Sequence, residues 1–250
     1  MKHKFELLGN RLPQGKVLFC SADSKYFLRF APAFVQSCID LNQKLHIHII
    51  NRTEEAFKLQ NMINDNHSKL ISFTSETVDL SKFDARTYYA CNRFIVAPYI
   101  LRQAHRVMIL DVDNYLMNEM RWPDSKYDAG LFLRDPLPGT TGWEQESTHV
   151  AAGIVYLDMR KAISFAIDVS NKLKESKNFV WFVDQNVLWK CYNEWKDKLN
   201  ILSFERHIMD WEFKHGTMLW TGKGPRKYNN KTYVDQKDRY TKELYESLHT

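Results

Sequence analysis

Long apolar runs are missing from this chain of 250 residues. No stretch approaches the roughly 20 consecutive apolar residues that a membrane-spanning helix requires. The opening MKHKFELLGNRLPQGK lacks the apolar centre of a secretory signal. A soluble, cytoplasmic protein with no transmembrane segment is the expectation. Cysteines are few and scattered: Cys20, Cys38, Cys91 and Cys191 form no Cys-x-x-Cys pair. That argues against a cysteine-built zinc site and for buried free thiols in a reducing compartment. A charge excess of one sign is missing too, since 35 basic residues face 30 acidic ones, leaving +5. The basic residues are interleaved with acidic ones and build no aromatic-basic motif, so nucleic acid is not indicated. The small surplus suits an anionic ligand. No internal repeat, linker or composition shift divides the sequence. It reads as one domain over 1–250, with a core at about 16–228 and a polar tail at 229–250.

What the chain does have is a 44% hydrophobic content with 14% aromatics, enough for a packed core. Short apolar runs alternate with helical spacing. VLFC, HIHII, ISF, VMILD, DAGLFL and AAGIVYLD read as strands. Between them, Phe27, Phe30, Phe34 and Cys38 recur at helical intervals, as do Phe57, Leu59, Met62 and Ile63. Residues Ala85 to Leu101 read as a helix that Pro98 kinks or breaks. RDPLPGTTGWEQEST is rich in turn residues and reads as a surface loop. Near the end, YTKELYESL reads as a short helix. Strands alternating with helices predict an α/β fold with parallel strands at its centre.

The stretch RVMILDVDNYLM concentrates the chemistry. Four apolar residues, Val107 to Leu110, run into Asp111-Val112-Asp113. On an extended chain, side chains at i and i+2 share a face. Two carboxylates there repel unless a cation joins them. At the carboxyl end of a buried strand they sit where α/β proteins bind ligands. A hard divalent ion, Mn²⁺ or Mg²⁺, with phosphate oxygens completing its shell would resolve the repulsion. A plainer alternative is that the aspartates end the strand and open a turn with Asn114. Two enzyme classes place Asp-x-Asp after an apolar strand: haloacid-dehalogenase-like phosphohydrolases and nucleotide-sugar glycosyltransferases. The mid-chain position, and Asn114-Tyr115 where the first class has Gly-Thr, favour the second.

Other segments fall into register with that choice. LFCSADSKYF followed by a helix and HIHII resembles the opening of glycosyltransferase family 8, the glycogenin and lipooligosaccharide galactosyltransferase group. Ala22, Asp23 and Tyr26 match its Ala-Asp-x-x-Tyr, with Lys25 where Asn is frequent. Arg93, on the helix ahead of the aspartates, matches the family arginine. HVAAGIVYLDM is similar to its Asn-(Ser/Ala)-Gly-Val strand, with Gly153 matching and Ala151 in place of Asn. FVWFVDQNVLW is similar to its Asp-Gln block at Asp184 and Gln185. MLWTGKGPRKY resembles its closing His-x-x-Gly-x-x-Lys-Pro-Trp. There Gly222 aligns, Lys223, Arg226 and Lys227 bring positive charge, and Leu219 stands where the metal-binding His belongs.

The resemblance implies a GT-A fold with a central mixed, mostly parallel sheet, and a metal-dependent, retaining hexosyltransferase. Ala22, Asp23 and Tyr26 would hold the nucleoside, which in the family is the uridine of a UDP-sugar. Asp111, Val112 and Asp113 would carry the metal and diphosphate, with His215 as a substitute third ligand. Arg93, Gly153, Gly222, Lys223, Arg226 and Lys227 would line the donor. Asp184 and Gln185 would face the reacting sugar, although Asp184 can equally cap the following helix. The acceptor would be a glycan, lipid-linked glycan or protein. Trp143, Glu144 and Glu146 in the loop from Arg134 to Thr148 are candidates to grip it. A phosphohydrolase with Asp111 as nucleophile, and a catalytically idle nucleotide-sugar binder, are the alternatives.

Overall fold

The computed structural model describes residues 5–8 (backbone only), 14–81, 84–135, 138–139, 141–176 and 179–249; the side chain of Trp143 lies outside the described set. After strand β1 (Phe5–Leu8) the chain enters β2 (Lys16–Asp23), whose centre is buried throughout. A continuous apolar strand of this kind belongs inside a sheet covered on both faces. Asp23 ends it and caps helix α1 (Ser24–Asp40), its carboxylate accepting from the Tyr26 amide at 3.2 Å. Strand β3 (Leu45–Ile50), helix α2 (Glu54–His67) and strand β4 (Ile71–Glu76) follow. In β3, His46 and His48 are fully buried, and Ser72 and Thr74 of β4 meet their ring nitrogens.

Helix α3 (Ala85–Ala104) then leads to β5 (Arg106–Leu110) and the short β6 (Asn114–Leu116). Of the kink or break expected at Pro98, the break does not occur, and α3 runs on through it. The helix is buried on most sides, packed on β2, β5 and a later helix, and that burial outweighs the roughly 3 kcal/mol a proline costs inside a helix. Strand β7 (Ala129–Leu133), helix α4 (Gly142–Thr148), strand β8 (Val150–Asp158) and helices α5 (Met159–Glu175) and α6 (Val183–Trp195) come next. Thus part of the turn-rich segment expected to be loop is helical, and α4 packs on α6.

Strands β9 (Ile201–Ser203), β10 (Met209–Asp210) and β11 (Leu219–Thr221), then helices α7 (Arg226–Asn229) and α8 (Lys231–Ser247), complete the chain. The tail expected at 229–250 is mostly α8, which docks on α1 and buries Tyr233, Tyr240 and Leu244. The short helix expected at YTKELYESL is the second half of α8; polar composition hid only the first half, from Lys231, because three buried residues spaced seven and four apart suffice to seat one face of a helix.

The eight-stranded sheet has the order β1-β4-β3-β2-β5-β8-β7-β9, and a small sheet has the order β10-β11-β6. Of the seven pairings in the large sheet, four are parallel (β4/β3, β3/β2, β2/β5, β7/β9) and three antiparallel (β1/β4, β5/β8, β8/β7). One apolar cluster joins the sheet to α1 and α2, and another joins its opposite face to α3, α5 and α6. A third, aromatic cluster of Tyr115, Phe213, Trp220, Tyr233 and Tyr240 supports the small sheet. Among the described residues, no helix is long and apolar enough to cross a membrane.

Candidate active site

Topology brings three elements to one edge. β2 and β5 run parallel, so Asp23 and Asp111 both leave the sheet at its carboxyl edge. β8 runs antiparallel to β5, with Leu110 opposite Ile154, which places Gly153 beside Asp111. A Cβ on Gly153 would stand 3.1 Å from Asp111 Oδ2 and 3.0 Å from Met209 Sδ. The missing side chain is therefore what leaves room around that carboxylate oxygen.

Arg93, nearly buried on α3, ties the edge together. Its Nη1 lies 3.0 Å from Asp111 Oδ1, and its Nη2 lies 3.3 Å from Asp184 Oδ2. The same guanidinium donates to the carbonyls of Ala90 at 2.6 Å and Ala152 at 3.2 Å. A planar fork is the one cationic side chain able to serve two carboxylates and two carbonyls at once. Asp184 lies in the first turn of α6, where it accepts from the Gln185 amide at 2.9 Å; the N-cap position belongs to Phe182, in the left-handed conformation at φ 73°. Burial pushes the Asp184 carboxyl above its ordinary value, and Arg93 opposes that push. Gln185 Oε1 accepts from Arg134 Nη2 at 3.1 Å.

Asp113 is buried and pairs with Lys227. Desolvation raises its carboxyl and the ammonium pulls it back. Desolvation works in the other direction on Lys227, but the charge of Asp113 outweighs it and holds the ammonium firmly protonated. A turn fastens the two residues from behind. β11 pairs with β6 so that Thr221 faces Asn114, the Gly222 amide donates to the Asp113 carbonyl at 3.0 Å, and the Tyr233 hydroxyl donates to the same carbonyl at 2.6 Å. A Cβ on Gly222 would meet Lys227 Cβ at 2.7 Å and the Tyr233 hydroxyl at 2.8 Å. Gly222→Ala should therefore destabilise the chain by about 1–3 kcal/mol, the usual cost of overpacking, in urea unfolding. Stability equal to the wild type would show that this turn yields freely.

The remaining sequence candidates distribute around these pairs. Ala22 is buried at the end of β2, and Val112 packs its side chain into the core. The half-buried Tyr26 ring has Lys227 Nζ 5.2 Å from its centroid, and its hydroxyl is 3.2 Å from that of Tyr228. Lys223 lies with Nζ 4.6 Å from the centre of the Trp211 ring. Desolvation, then the charges of Arg134 and Arg226, lower its pKa, so these three cations share one neighbourhood. His215 does not join the aspartates. It is exposed, its ring 6.2 Å from that of Trp220, and among the described residues no three His, Cys, Asp or Glu side chains gather closely enough to hold a metal. Leu219 is fully buried in the core. Glu144 and Glu146 are exposed on α4.

Sequence reasoning missed Arg134 as a partner of Gln185, Trp211 and Tyr228 as ring neighbours of Lys223 and Lys227, and Tyr233 as a donor to the Asp113 carbonyl. Arg134 carried a signal of the same kind as Asp111: a charge at the end of an apolar strand. The turn expected at Asn114 is present: β5 ends at Leu110, Asp111 to Asp113 is a turn rather than extended chain, and the Asn114 amide donates to the Asp111 carbonyl at 3.3 Å. In addition, both polar atoms of the buried Asn114 side chain lack a partner among the described residues. Such capacity has to be met by a bound molecule or water. The edge thus combines five cations (Arg93, Arg134, Lys223, Arg226, Lys227) with four carboxylates (Asp23, Asp111, Asp113, Asp184), a composition suited to a polyanion held beside a polyol.

No protein-family model matches the chain, and no curated protein matches it. Solved structures do. The galactosyltransferase LgtC in complex with donor and acceptor sugar analogs aligns with 94% of this chain and 96% of its own, at 15% identity and TM-score 0.62. The apo structure of the bifunctional glycosyltransferase WbbM covers 97% of this chain at 12% identity and TM-score 0.61. GlyE of Streptococcus pneumoniae TIGR4 covers 94% at 13% identity and TM-score 0.61. The match takes in about half of the WbbM chain (53%) and just under two thirds of the GlyE chain (64%). The fold is the one these glycosyltransferases share, as the GT-A expectation required.

Proposed function

We propose that this protein is a glycosyltransferase that moves a hexose from a nucleotide-diphosphate sugar, of the UDP-hexose class, onto an acceptor hydroxyl with retention of configuration. The observation that carries the reading is the paired charge at the sheet edge. Arg93 bridges Asp111 and Asp184, Lys227 holds Asp113, and Gly153 leaves space at Asp111 Oδ2. The fold shared with LgtC supports it.

The donor set fits a divalent cation of the Mn²⁺ or Mg²⁺ kind. Asp111 and Asp113 offer hard oxygens one residue apart, and the Gly153 cradle faces one of them. Such an ion, when bound, supplies charge neutralisation of the diphosphate. The chain's own residues do the rest. Asp23 and Tyr26 bind the nucleoside, Tyr26 through its ring face. Lys223, Arg226 and Lys227 receive the negative charge that grows on the leaving diphosphate. Asp184 accepts hydrogen bonds from the sugar hydroxyls, and Gln185 presents its amide near the anomeric carbon. The bond from that carbon to the diphosphate oxygen breaks as a bond to the acceptor oxygen forms on the same face. The acceptor proton leaves with the departing diphosphate.

The test is thermal stabilisation by a panel of nucleotide sugars in Mn²⁺ and in chelator, followed by transfer assays on wild type and Asp113→Ala. Specific donors raise the melting temperature by mass action. Asp113→Ala loses on the order of 10²–10³ of the rate, the scale on which one charge-stabilising group acts. No stabilisation by any nucleoside diphosphate in Mn²⁺ sinks the proposal. Phosphate release from small esters that depends on Asp111 would replace it with the phosphohydrolase reading, and binding without turnover would replace it with the idle binder.

A further inference from the structure

The turn that carries Asp111 and Asp113 is held from far along the chain. Its own closing bond, from the Asn114 amide to the Asp111 carbonyl, is 3.3 Å long, just beyond the usual N–H···O range. The hydrogen-bond partners of Asp113 among the described residues are the Gly222 amide, the Lys227 ammonium and the Tyr233 hydroxyl, all downstream of β11. Tyr233 belongs to α8, and α8 and β6 grip each other through tyrosine hydroxyls. Tyr115 of β6 donates to the Tyr233 carbonyl at 2.9 Å. In return, Tyr233 and Tyr240 of α8 donate to the carbonyls of Asp113 at 2.6 Å and Leu116 at 3.3 Å. The shortest of the three bonds goes to the aspartate turn. The Tyr115 ring neighbours both, its centroid 5.0 Å from that of Tyr233 and 5.7 Å from that of Tyr240.

We infer that Tyr233 is a positioning residue: through this hydroxyl, helix α8 fixes the backbone of Asp113 so that its carboxylate stands ready, with that of Asp111, for a divalent cation. The inference rests on the metal-dependent reading above. Three features carry it. Tyr233 is fully buried, and burial pushes its phenol well up, so the hydroxyl keeps its proton and acts as a donor. Packing needs only the ring, which a phenylalanine would supply equally to the cluster of Tyr115, Phe213, Trp220 and Tyr240. The hydroxyl is what reaches the aspartate turn. Finally, the Asp113 carbonyl is occupied by Gly222 and Tyr233 while the carboxylate of the same residue meets Lys227, so backbone and side chain are fixed by separate groups. Groups that orient a metal ligand in this way govern affinity without touching the metal.

The test is calorimetric titration of Mn²⁺, and of UDP in chelator, on the full chain as wild type, Tyr233→Phe and Tyr240→Phe. Tyr233→Phe keeps the ring and removes the hydroxyl at the aspartate turn. Tyr240→Phe removes a hydroxyl from the same cluster that bonds away from the aspartates, and so controls for general loosening. Tyr233→Phe should weaken Mn²⁺ by roughly tenfold, the lower end of the range for groups that orient metal ligands. Its UDP affinity in chelator should stay near that of the wild type, because Lys223, Arg226 and Lys227 remain. Tyr240→Phe should leave both affinities unchanged. Tyr115→Phe, which takes the donor from the Tyr233 carbonyl, should weaken Mn²⁺ several-fold with the same selectivity, and carries the test if Tyr233→Phe does not fold. Mn²⁺ affinity equal to wild type in the Tyr233 and Tyr115 variants overturns the positioning role and leaves the metal reading standing. Equal Mn²⁺ losses in Tyr233→Phe and Tyr240→Phe, or UDP weakened together with Mn²⁺, overturn it by assigning the hydroxyls to packing. A wild type that binds no Mn²⁺, with or without UDP, overturns the metal reading and this role with it.

Discussion

Arg93→Met should abolish transfer and destabilise the chain by roughly 3–5 kcal/mol, the cost of stripping the partner from a buried ion pair. The residue leaves two carboxylates behind. Asp111 is partly exposed and recovers water, but Asp184 is buried and loses its counter-charge, together with the two carbonyls Arg93 had satisfied. The loss has a pH signature whose sign follows from burial. Asp184 already binds its proton more tightly in the folded protein than an ordinary carboxyl does, because desolvation outweighs Arg93. Without Arg93 that imbalance grows. A folded-state pKa above the unfolded value means the native state holds more protons in that window, so stability falls as pH rises through it and returns on acidification. Urea unfolding of Arg93→Met across the acidic range should therefore show a deficit that narrows toward low pH. A pH-independent deficit would assign the loss to packing. Arg93→Lys should fall between, since an ammonium keeps the charge without the fork that reaches both carboxylates.

Lys227→Met separates the two ways of neutralising Asp113. In the structure the carboxylate is held by the chain's own ammonium. In our proposal a divalent ion also uses this residue. Removing the ammonium should weaken UDP in chelator by roughly 10- to 150-fold, the equivalent of losing a charge-assisted hydrogen bond of about 1.5–3 kcal/mol. The same change should tighten Mn²⁺, because a competing cation has gone from a buried carboxylate. Calorimetric titration of UDP and of Mn²⁺ on both proteins measures the two effects separately. UDP affinity unchanged in chelator would remove Lys227 from the donor site. Mn²⁺ affinity unchanged or weakened would remove Asp113 from the metal.

Why a lysine and an arginine should sit on the two aspartates was not legible in the sequence, although all four residues were singled out there. Lys227 lies 114 positions from Asp113, and Arg93 lies 91 from Asp184. No local pattern connects residues so far apart. The pairings exist because β11 adds to β6 immediately after the aspartates, and because α3 and α6 converge on the same edge of the sheet. His215 is the reverse case. It was legible as a metal-ligand type of residue, and distance along the chain made it plausible, yet it sits on an exposed loop against Trp220. The unbroken run of α3 through Pro98 and the start of α8 at Lys231 were not legible for a related reason. Helix propensity and mean polarity describe exposed chain, and both segments are decided by what they pack against.

The sequence alone determined the parts governed by local physics. Apolar runs of strand length, helical spacing between them, and carboxylates at i and i+2 beyond the fourth of the sheet-core runs sufficed to name the fold class and the edge where charge collects. Glycines at 153 and 222 marked where backbone comes close. Tertiary structure decided which charges meet. It set the antiparallel run of β8 that lays Gly153 against Asp111, and the arginine shared between two carboxylates. Burial is the reason: a carboxylate inside a protein needs hydrogen-bond donors or a cation beside it, and which cation reaches Asp113 and Asp184 depends on how distant elements pack.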